Sequence, residues 1–508
     1  MITQHVVFPQ QYRDSVSLMR LSSTFSGRAG IAQVSVVMAT QANLDLLRGA
    51  GLLTETIAAG PNDLIVAVSG DDAAAVEAVI SEARSAVMES ASSGSGGGGR
   101  REMAPRSIAM ALEGGGEADL ALISTPGDWA GHEAAKALRR GMHVMMFSDN
   151  VSVEKEAELK AYAAKRDLLV MGPDCGTAII AGVPLAFANV VRRGSIGVVG
   201  ASGTGMQQIT CLVDRMGLGI SHAIGTGGHD LSREIGGATT LQGIRMLAAD
   251  PDTRVLVLVS KPPAPEVAET VLRAASASGR PVVVNFIGLE GGLPELPGLH
   301  MAKTLEDAAR LAVSLAGGGM DDDAPAVLPG RPAYAAGQKY LRGLYSGGTF
   351  CYEATMLLGD LPGGILSNTP ITSGQKLDNP FSSRGHTLVD MGDDVFTRGR
   401  PHPMMDPSLR LARMMDEAKD PETAVILFDV VLGYGSHDDP AGGIAETATA
   451  ARELAAAQGR ELAFVGFVCG TDGDPQGFAA QERKLRDAGV LLAASNARAV
   501  ALARELLP

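Results

Sequence analysis

The chain holds only four cysteines in 508 residues, Cys175, Cys211, Cys351 and Cys469, and no two of them form a Cys-x-x-Cys pair. That spacing speaks against a zinc site, so no metal is expected, and it points to reduced thiols in a cytoplasmic protein. No apolar run approaches bilayer-spanning length, and the N-terminus has no basic flank followed by an apolar stretch. Cationic charge is also short: 43 Lys and Arg stand against 57 Asp and Glu, a net charge of −14. The overall field therefore repels nucleic acid and anionic membranes. A phosphorylated ligand has to be held locally, by backbone amides and helix ends. Transcarbamylase motifs of the Ser-Thr-Arg-Thr kind are missing as well.

What is present is glycine among short apolar runs. With 45% hydrophobic residues and 63 glycines, the composition suits an α/β protein of several parallel-sheet domains joined by tight turns. Residues 1–89 read as a small N-terminal α/β module, with β-rich runs at Ser15–Thr24, Gln33–Met38 and Asp63–Ser69 and helical patterns at Gln41–Gly49 and Asp72–Val87. The Gly/Ser tract 90–100 reads as a flexible linker, because no strand feeds it. Residues 101–193 alternate helices with strands at Asp119–Ser124, His143–Phe147 and Leu168–Gly172, a CoA-binding-like half of a Rossmann sheet. The half that would carry a Gly-x-Gly-x-x-Gly turn does not show there, which argues against a dinucleotide or coenzyme A.

Residues 194–317 and 341–508, joined by a Pro/Gly/Asp-rich bridge over 318–340, read as two copies of one unit. Ile196-Gly-Val-Val-Gly-Ala-Ser-Gly-Thr204 is answered by Arg342-Gly-Leu-Tyr-Ser-Gly-Gly-Thr349, and Gly225-Thr-Gly-Gly-His-Asp230 by Val389-Asp-Met-Gly-Asp-Asp394. Asp250-Pro-Asp-Thr253 is answered by Asp420-Pro-Glu-Thr423, and Pro281–Gly288 by Ala463–Gly470. Matches in one order indicate duplication. Each copy opens with an apolar strand that empties into a Gly/Ser/Thr turn and then a helical pattern, which is how a strand delivers an anion to a helix N-terminus. The second copy also carries a long irregular insertion, Ser367–Arg384.

Several side chains at strand ends could do chemistry. His229 and Asp230 follow the Gly227-Gly228 turn at the carboxyl end of an expected strand, the edge where open α/β sheets bind ligands. His229 can act there as general acid or base, or the pair can simply cap the next helix. Asp393 and Asp394 hold the matching place in the second copy, as a Mg²⁺ or amine contact or as caps. Cys175 is a reactive thiol or, as free cysteine more often is, a small buried hydrophobe. Lys261, Arg398, Arg400, His402 and His437 stand on loops where each could meet a carboxylate or phosphate.

The run Met171-Gly-Pro-Asp-Cys-Gly176, with Arg192-Arg-Gly-Ser-Ile-Gly197, Ser202-Gly-Thr204, Gly217-Leu-Gly219, Gly227-Gly228 and Asp250-Pro-Asp252, resembles the α subunit of succinyl-CoA synthetase. The second copy resembles the flavodoxin-like ligase domain of the partner subunit. Phe147-Ser-Asp-Asn-Val151 and Gly470-Thr-Asp-Gly-Asp-Pro-Gln476, together with the fused two-copy layout, resemble the FdrA family. The resemblance implies two tandem flavodoxin-like domains whose helix starts meet and share one phosphate. Ser202, Gly203 and Thr204 would form one half of that site, and Ser346, Gly347, Gly348 and Thr349 the other. The superfamily's mechanism also runs through a phosphohistidine after the strand equivalent to Val282–Ile287, where this chain has no histidine between Gly288 and Gly298.

His300 lies in the next expected strand, and no long N-terminal segment offers an ATP-grasp domain. The chain alone is therefore not expected to run a phosphohistidine cycle. The FdrA resemblance implies instead a subunit of an oxamate carbamoyltransferase, working with companion subunits, or as a homodimer, on phosphate or carbamoyl phosphate in ureide or purine-ring breakdown, with no cofactor required by the sequence. An acyl-CoA synthetase of the succinate–CoA ligase type, and a non-catalytic scaffold that keeps the anion site, are the alternatives.

Overall fold

The computed structural model describes residues 2–11, 13, 18, 21–22, 24–25, 28–53, 55, 57–92, 105–113, 116–289, 296–319, 330, 332–398 and 400–508. Most of the expected linker 90–100 and much of the bridge 318–340 lie outside them. The chain divides into two compact units, one of Met1–Ala118, Ser124–Pro126 and Asp394–Ser408, the other of Asp119–Ile123, Gly127–Asp393 and Leu409–Pro508.

In the smaller unit, β1 (Ile2–Phe8), β2 (Ile31–Met38) and β3 (Leu64–Gly70) form an antiparallel sheet in the order β1-β3-β2. The alternation of side chains along β3 feeds two cores. Leu64, Val66 and Val68 pack with Val76, Val79 and Ile80 of the Ala73–Ser92 helix, and Ile65 and Ala67 pack with Leu44 and Leu47 of the Gln41–Gly49 helix. The strand expected over Ser15–Thr24 is corrected: Leu18, Leu21, Ser22, Thr24 and Phe25 are helical. Leu18 and Phe25, seven residues apart on one helical face, enter the core of Val66.

Among the described residues, the larger unit holds three sheets. In the first, β4 (Leu120–Ile123), β5 (His143–Met146) and β6 (Val170–Met171) run parallel. A hairpin, β7 (Thr177–Ile180) and β8 (Val183–Ala186), joins β9 (Arg193–Gly200), β10 (Ile220–Gly225), β11 (Val255–Ser260), β12 (Val282–Phe286) and β13 (Leu299–Met301) in the order β13-β12-β11-β9-β10-β7-β8. In the third, β14 (Tyr340–Tyr345), β15 (Ile365–Ser367), β16 (His386–Asp390), β17 (Thr423–Val431), β18 (Ala463–Cys469) and β19 (Leu491–Ala493) stand in the order β15-β16-β14-β17-β18-β19. Numbered from its own first strand, the first copy reads 2-1-3-4-5, the flavodoxin-like order, and the second reads 2-3-1-4-5-6, the same order once the short edge strand β15 is set aside. The hairpin, which lies in sequence with residues 101–193, extends the first copy's sheet, with Ile179 opposite Ala223.

Duplication also shows in a turn. Asp250 Oδ1 accepts from Asp252 N at 3.1 Å, and Asp420 Oδ1 accepts from Glu422 N at 2.9 Å. Thr253 N and Thr423 N then donate to the carbonyls of Asp250 and Asp420. Each turn delivers the chain into the strand that pairs in parallel with the first of its copy, β11 with β9 and β17 with β14.

The copies meet through four helices, Gly203–Arg215 and Leu305–Leu315 of the first and Gly348–Leu357 and Asn496–Glu505 of the second. Glu353 is wholly buried among them, accepting from Leu305 N at 2.7 Å and Asn496 Nδ2 at 2.8 Å. A strap between the hairpin and β9 adds a second seam. Asn189 Nδ2 donates to Asp474 Oδ2 at 2.8 Å and Leu432 O at 3.0 Å, and Val190 N donates to Asp474 Oδ1 at 2.8 Å.

Burial pushes the Glu353 carboxyl from its ordinary 4.5 up to about 7. A carboxyl raised on folding binds its proton more tightly in the folded chain between those values, so the stability it contributes falls as pH rises through them. Melting curves between about pH 5 and pH 7.5 should show a declining Tm that Glu353→Gln flattens. A variant whose decline runs parallel to the wild type's would remove Glu353 as the cause.

Candidate functional site

The turn after β9 puts Ser202 in extended backbone as the N-cap of the Gly203–Arg215 helix, its Oγ accepting from Gly205 N at 3.1 Å. The turn after β14 opens the Gly348–Leu357 helix, with Gly347 as its N-cap. The two helix starts touch: Ser202 Oγ lies 2.6 Å from Thr349 Oγ1, both side chains buried. The approach leaves little room, since a Cβ on Gly205 would stand 3.2 Å from Thr349 Cγ2 and one on Gly347 would stand 3.1 Å from Thr204 Cγ2. The amides of Gly203 and Thr204, and of Gly348 and Thr349, stand in first turns, where a helix has no acceptor of its own to offer.

The two turns differ in what else they hold. Asp429 of β17 accepts from Ser346 N at 2.7 Å, Ser346 Oγ at 2.6 Å and Gly347 N at 2.9 Å, and takes Arg410 Nη1 at 2.8 Å. Ser346 and Gly347 thus spend these donors inside the fold. Asp390, at the end of β16, places Oδ2 where a Cβ on Gly348 would be, while its Oδ1 accepts from Gly392 N at 2.9 Å. Burial pushes the Asp390 carboxyl up to about 6, against the pull of Lys261. Lys261 follows β11 in the first copy, and its Nζ lies 5.7 Å from the ring centre of Tyr352 in the second. A cation from one copy and a carboxyl from the other therefore flank the facing helix ends.

The remaining expected residues fall elsewhere. Asp230 is wholly buried; its oxygens accept from Lys160 Nζ at 2.8 Å, Thr239 N at 2.9 Å, Thr240 N at 2.9 Å and Thr240 Oγ1 at 2.7 Å. It holds Lys160 and the start of the Ala238–Ala249 helix. His229 beside it is exposed, with Nδ1 3.5 Å from Glu156 Oε2. Gly227 takes φ +86° against the Pro173 carbonyl, a place for glycine alone, and a Cβ on Gly228 would stand 3.4 Å from Asp174 Oδ2. Cys175 is buried, and burial pushes its thiol up to about 12. Asp393 stands near enough to Asp390 to raise its carboxyl further. Asp394, Arg398 and Arg400 belong to the smaller unit, where exposed Arg398 lies 3.8 Å from Asp394. Among the described residues, no group of three or more His, Cys, Asp or Glu side chains could hold a metal. Glu156, Asp390, Asp429 and Glu353 were not legible as site residues, because each acts through a partner distant in sequence.

Three family models match the chain: "CoA-ligase" over residues 344–506, "CoA binding domain" over 191–288 and "AllF, heavy metal-associated domain" over 1–105. The last stretch has no cysteine and a single histidine, His5, so it offers no thiolate pair for a soft metal. The uncharacterized protein YahF of Escherichia coli K12 is 43% identical over 99% of this chain and 98% of its own. The succinate–CoA ligase [ADP-forming] α subunit of Aquifex aeolicus is 26% identical over 34% of this chain and 57% of its own. Subunit α 2 from Archaeoglobus fulgidus is 27% identical over 36% and 63%. Among solved structures, a dinucleotide-forming acetyl-coenzyme A synthetase 1 from Ca. Korarchaeum cryptofilum, with phosphate and ADP, aligns at 18% identity over 76% of this chain and 82% of that one, with a TM-score of 0.33. ATP citrate lyase from Methanothrix soehngenii, with citrate and coenzyme A, aligns at 12% over 79% and 83%, with a TM-score of 0.36.

A thiol held far above its ordinary range reacts slowly, because the thiolate is the nucleophile. Native protein treated with iodoacetamide near pH 8 should leave Cys175 unmodified by mass spectrometry until denaturant is added. Rapid native labelling would restore it as a reactive group.

Proposed function

The chain belongs to the succinyl-CoA-synthetase-like superfamily, in one family with YahF of Escherichia coli, and we propose that it handles an acyl phosphate. The contact of Ser202 with Thr349 carries this reading, because it joins two helix N-termini at one point. Each helix end presents about half a positive charge and is worth up to ~2 kcal/mol to an anion in a partly buried site. Amides of Gly203, Thr204, Gly348 and Thr349 hold the phosphate, and Lys261 adds the charge that an acidic chain otherwise lacks. As charge develops on the phosphoryl and carbonyl oxygens, these fixed dipoles stabilise it without reorganising.

The first reading is acyl-CoA ligase chemistry. The thiol of coenzyme A attacks the acyl carbonyl, the acyl–oxygen bond breaks, and inorganic phosphate leaves into the helix-end site; thioester synthesis needs companion subunits to supply the acyl phosphate. The matches to ligase α subunits support it. A second reading, oxamate-type carbamoyl transfer, is favoured by one observation: the loop from Gly288 to Gly298 contains no histidine. Phosphate attacking the carbamoyl carbonyl forms the C–O bond of carbamoyl phosphate as the C–N bond to oxamate breaks, the departing nitrogen taking the proton that phosphate loses, and no phosphoenzyme is needed.

Calorimetry of the chain, alone and with its companion subunits, separates these readings. Binding of coenzyme A selects the ligase, and binding of carbamoyl phosphate without coenzyme A selects the transferase. Failure of phosphate to bind in either setting removes the site. Thr204→Glu should weaken phosphate by roughly 30-fold, the loss of one helix end's contribution. Sulfate, which keeps its charge across this range, should bind more weakly as pH rises through about 6, where Asp390 ionises beside Gly348. In Asp390→Asn that dependence should vanish, and a flat wild-type profile would separate Asp390 from the anion.

A further inference from the structure

A second cluster at the carboxyl edge of the first copy's sheet stands apart from the helix-end site. Glu156 and Lys160 lie one turn apart on the Val153–Ala164 helix, and both are buried. Lys160 Nζ donates to Glu156 Oε1 at 2.7 Å, to Asp230 Oδ1 at 2.8 Å and to Thr226 O at 3.0 Å, which uses all three of its protons. Two carboxylates thus share one ammonium. Asp230 is fully engaged by Lys160, Thr239 and Thr240. Glu156 Oε2 is not: it is buried and accepts no hydrogen bond. A buried carboxylate oxygen left without a donor is costly, and a candidate donor is the ring of His229, whose Nδ1 stands 3.5 Å away while most of the imidazole faces solvent. Hydrogen bonds of this kind are often long before substrate arrives.

We propose that Glu156 positions His229, accepting the Nδ1 proton and leaving Nε2 as the base that takes a proton from, and returns it to, a substrate oxygen or nitrogen at the Gly227-Gly228 turn. Glu156 of the Val153–Ala164 helix stands against the ring; the charged groups around it are Lys160 of the same helix, which Glu156 shares with Asp230 of the ring's own turn, and Asp174 of the turn after β6, which lies against Gly228. The hydrogen bond on one ring nitrogen decides which nitrogen carries the proton, and Nδ1–H is the form a carboxylate on that side selects. The substrate class is one whose reacting atom gains or loses a proton as a carbonyl group is made or broken. This site stands independently of the phosphate reading.

The test is the tautomer of His229. The full chain, labelled with ¹⁵N-histidine and studied above neutral pH, should show Nδ1 as the protonated nitrogen of the ring that His229→Gln removes from the spectrum. Glu156→Gln should move the proton toward Nε2, and modification of His229 by diethyl pyrocarbonate should slow several-fold in that variant, while Glu156→Asp should retain part of the wild-type signature. A wild-type ring protonated at Nε2 overturns the proposal whether or not Glu156→Gln folds. Equal modification rates in wild type and a folded Glu156→Gln overturn it as well.

Discussion

Two like poles are pressed together at the centre of the larger unit. The Gly203–Arg215 and Gly348–Leu357 helices meet N-terminus to N-terminus through Ser202 and Thr349, and each end carries a positive partial charge. Left to themselves such ends repel. The fold answers with carboxylates: Asp429 grips the Ser346-Gly347 turn, and Asp390 lies against Gly348. The glycines at 205 and 347 let the backbones come close enough for the hydroxyls to touch. The copy interface and the candidate site thus follow from one constraint, that a junction of two positive ends must be held by groups that are themselves negative.

The halves are related but not equivalent. Apart from the added edge strand β15, strand order repeats between them, and so do the Asp-Pro turns. At the helix starts the repetition stops: the first copy caps its helix with Ser202, whereas the second lends its turn to Asp429, itself neutralised by Arg410. A duplicated unit that meets its twin around one ligand does not need two complete sets of donors.

Much of this was readable from the sequence where a local pattern carries the information. Val255–Ser260 and Val282–Phe286 are apolar runs buried on both faces, and such runs bounded by glycine turns announce themselves. The Ser202 and Thr349 turns were legible for the same reason. Ser15–Thr24 misled because mixed apolar and hydroxyl residues fit a period of two nearly as well as one of 3.6. The β7-β8 hairpin sits beside one set of strands in sequence and pairs with another in space, a choice that short strands do not encode. Glu156 looks like any helix-surface acid until Asp230, far along the chain, closes over the same lysine. Asp429 likewise reads as an oddity within an apolar strand. Its reason is a turn that precedes it by more than eighty residues.

The strap at Asn189 and Val190 bears on how the two copies came to share a chain. Asp474 and Leu432 hold it from the second copy, and the four helices add their own contact, so the halves grip each other over two seams. Covalent fusion fixes stoichiometry: each first half is made with one second half, and its proper mate is at hand as soon as both have folded.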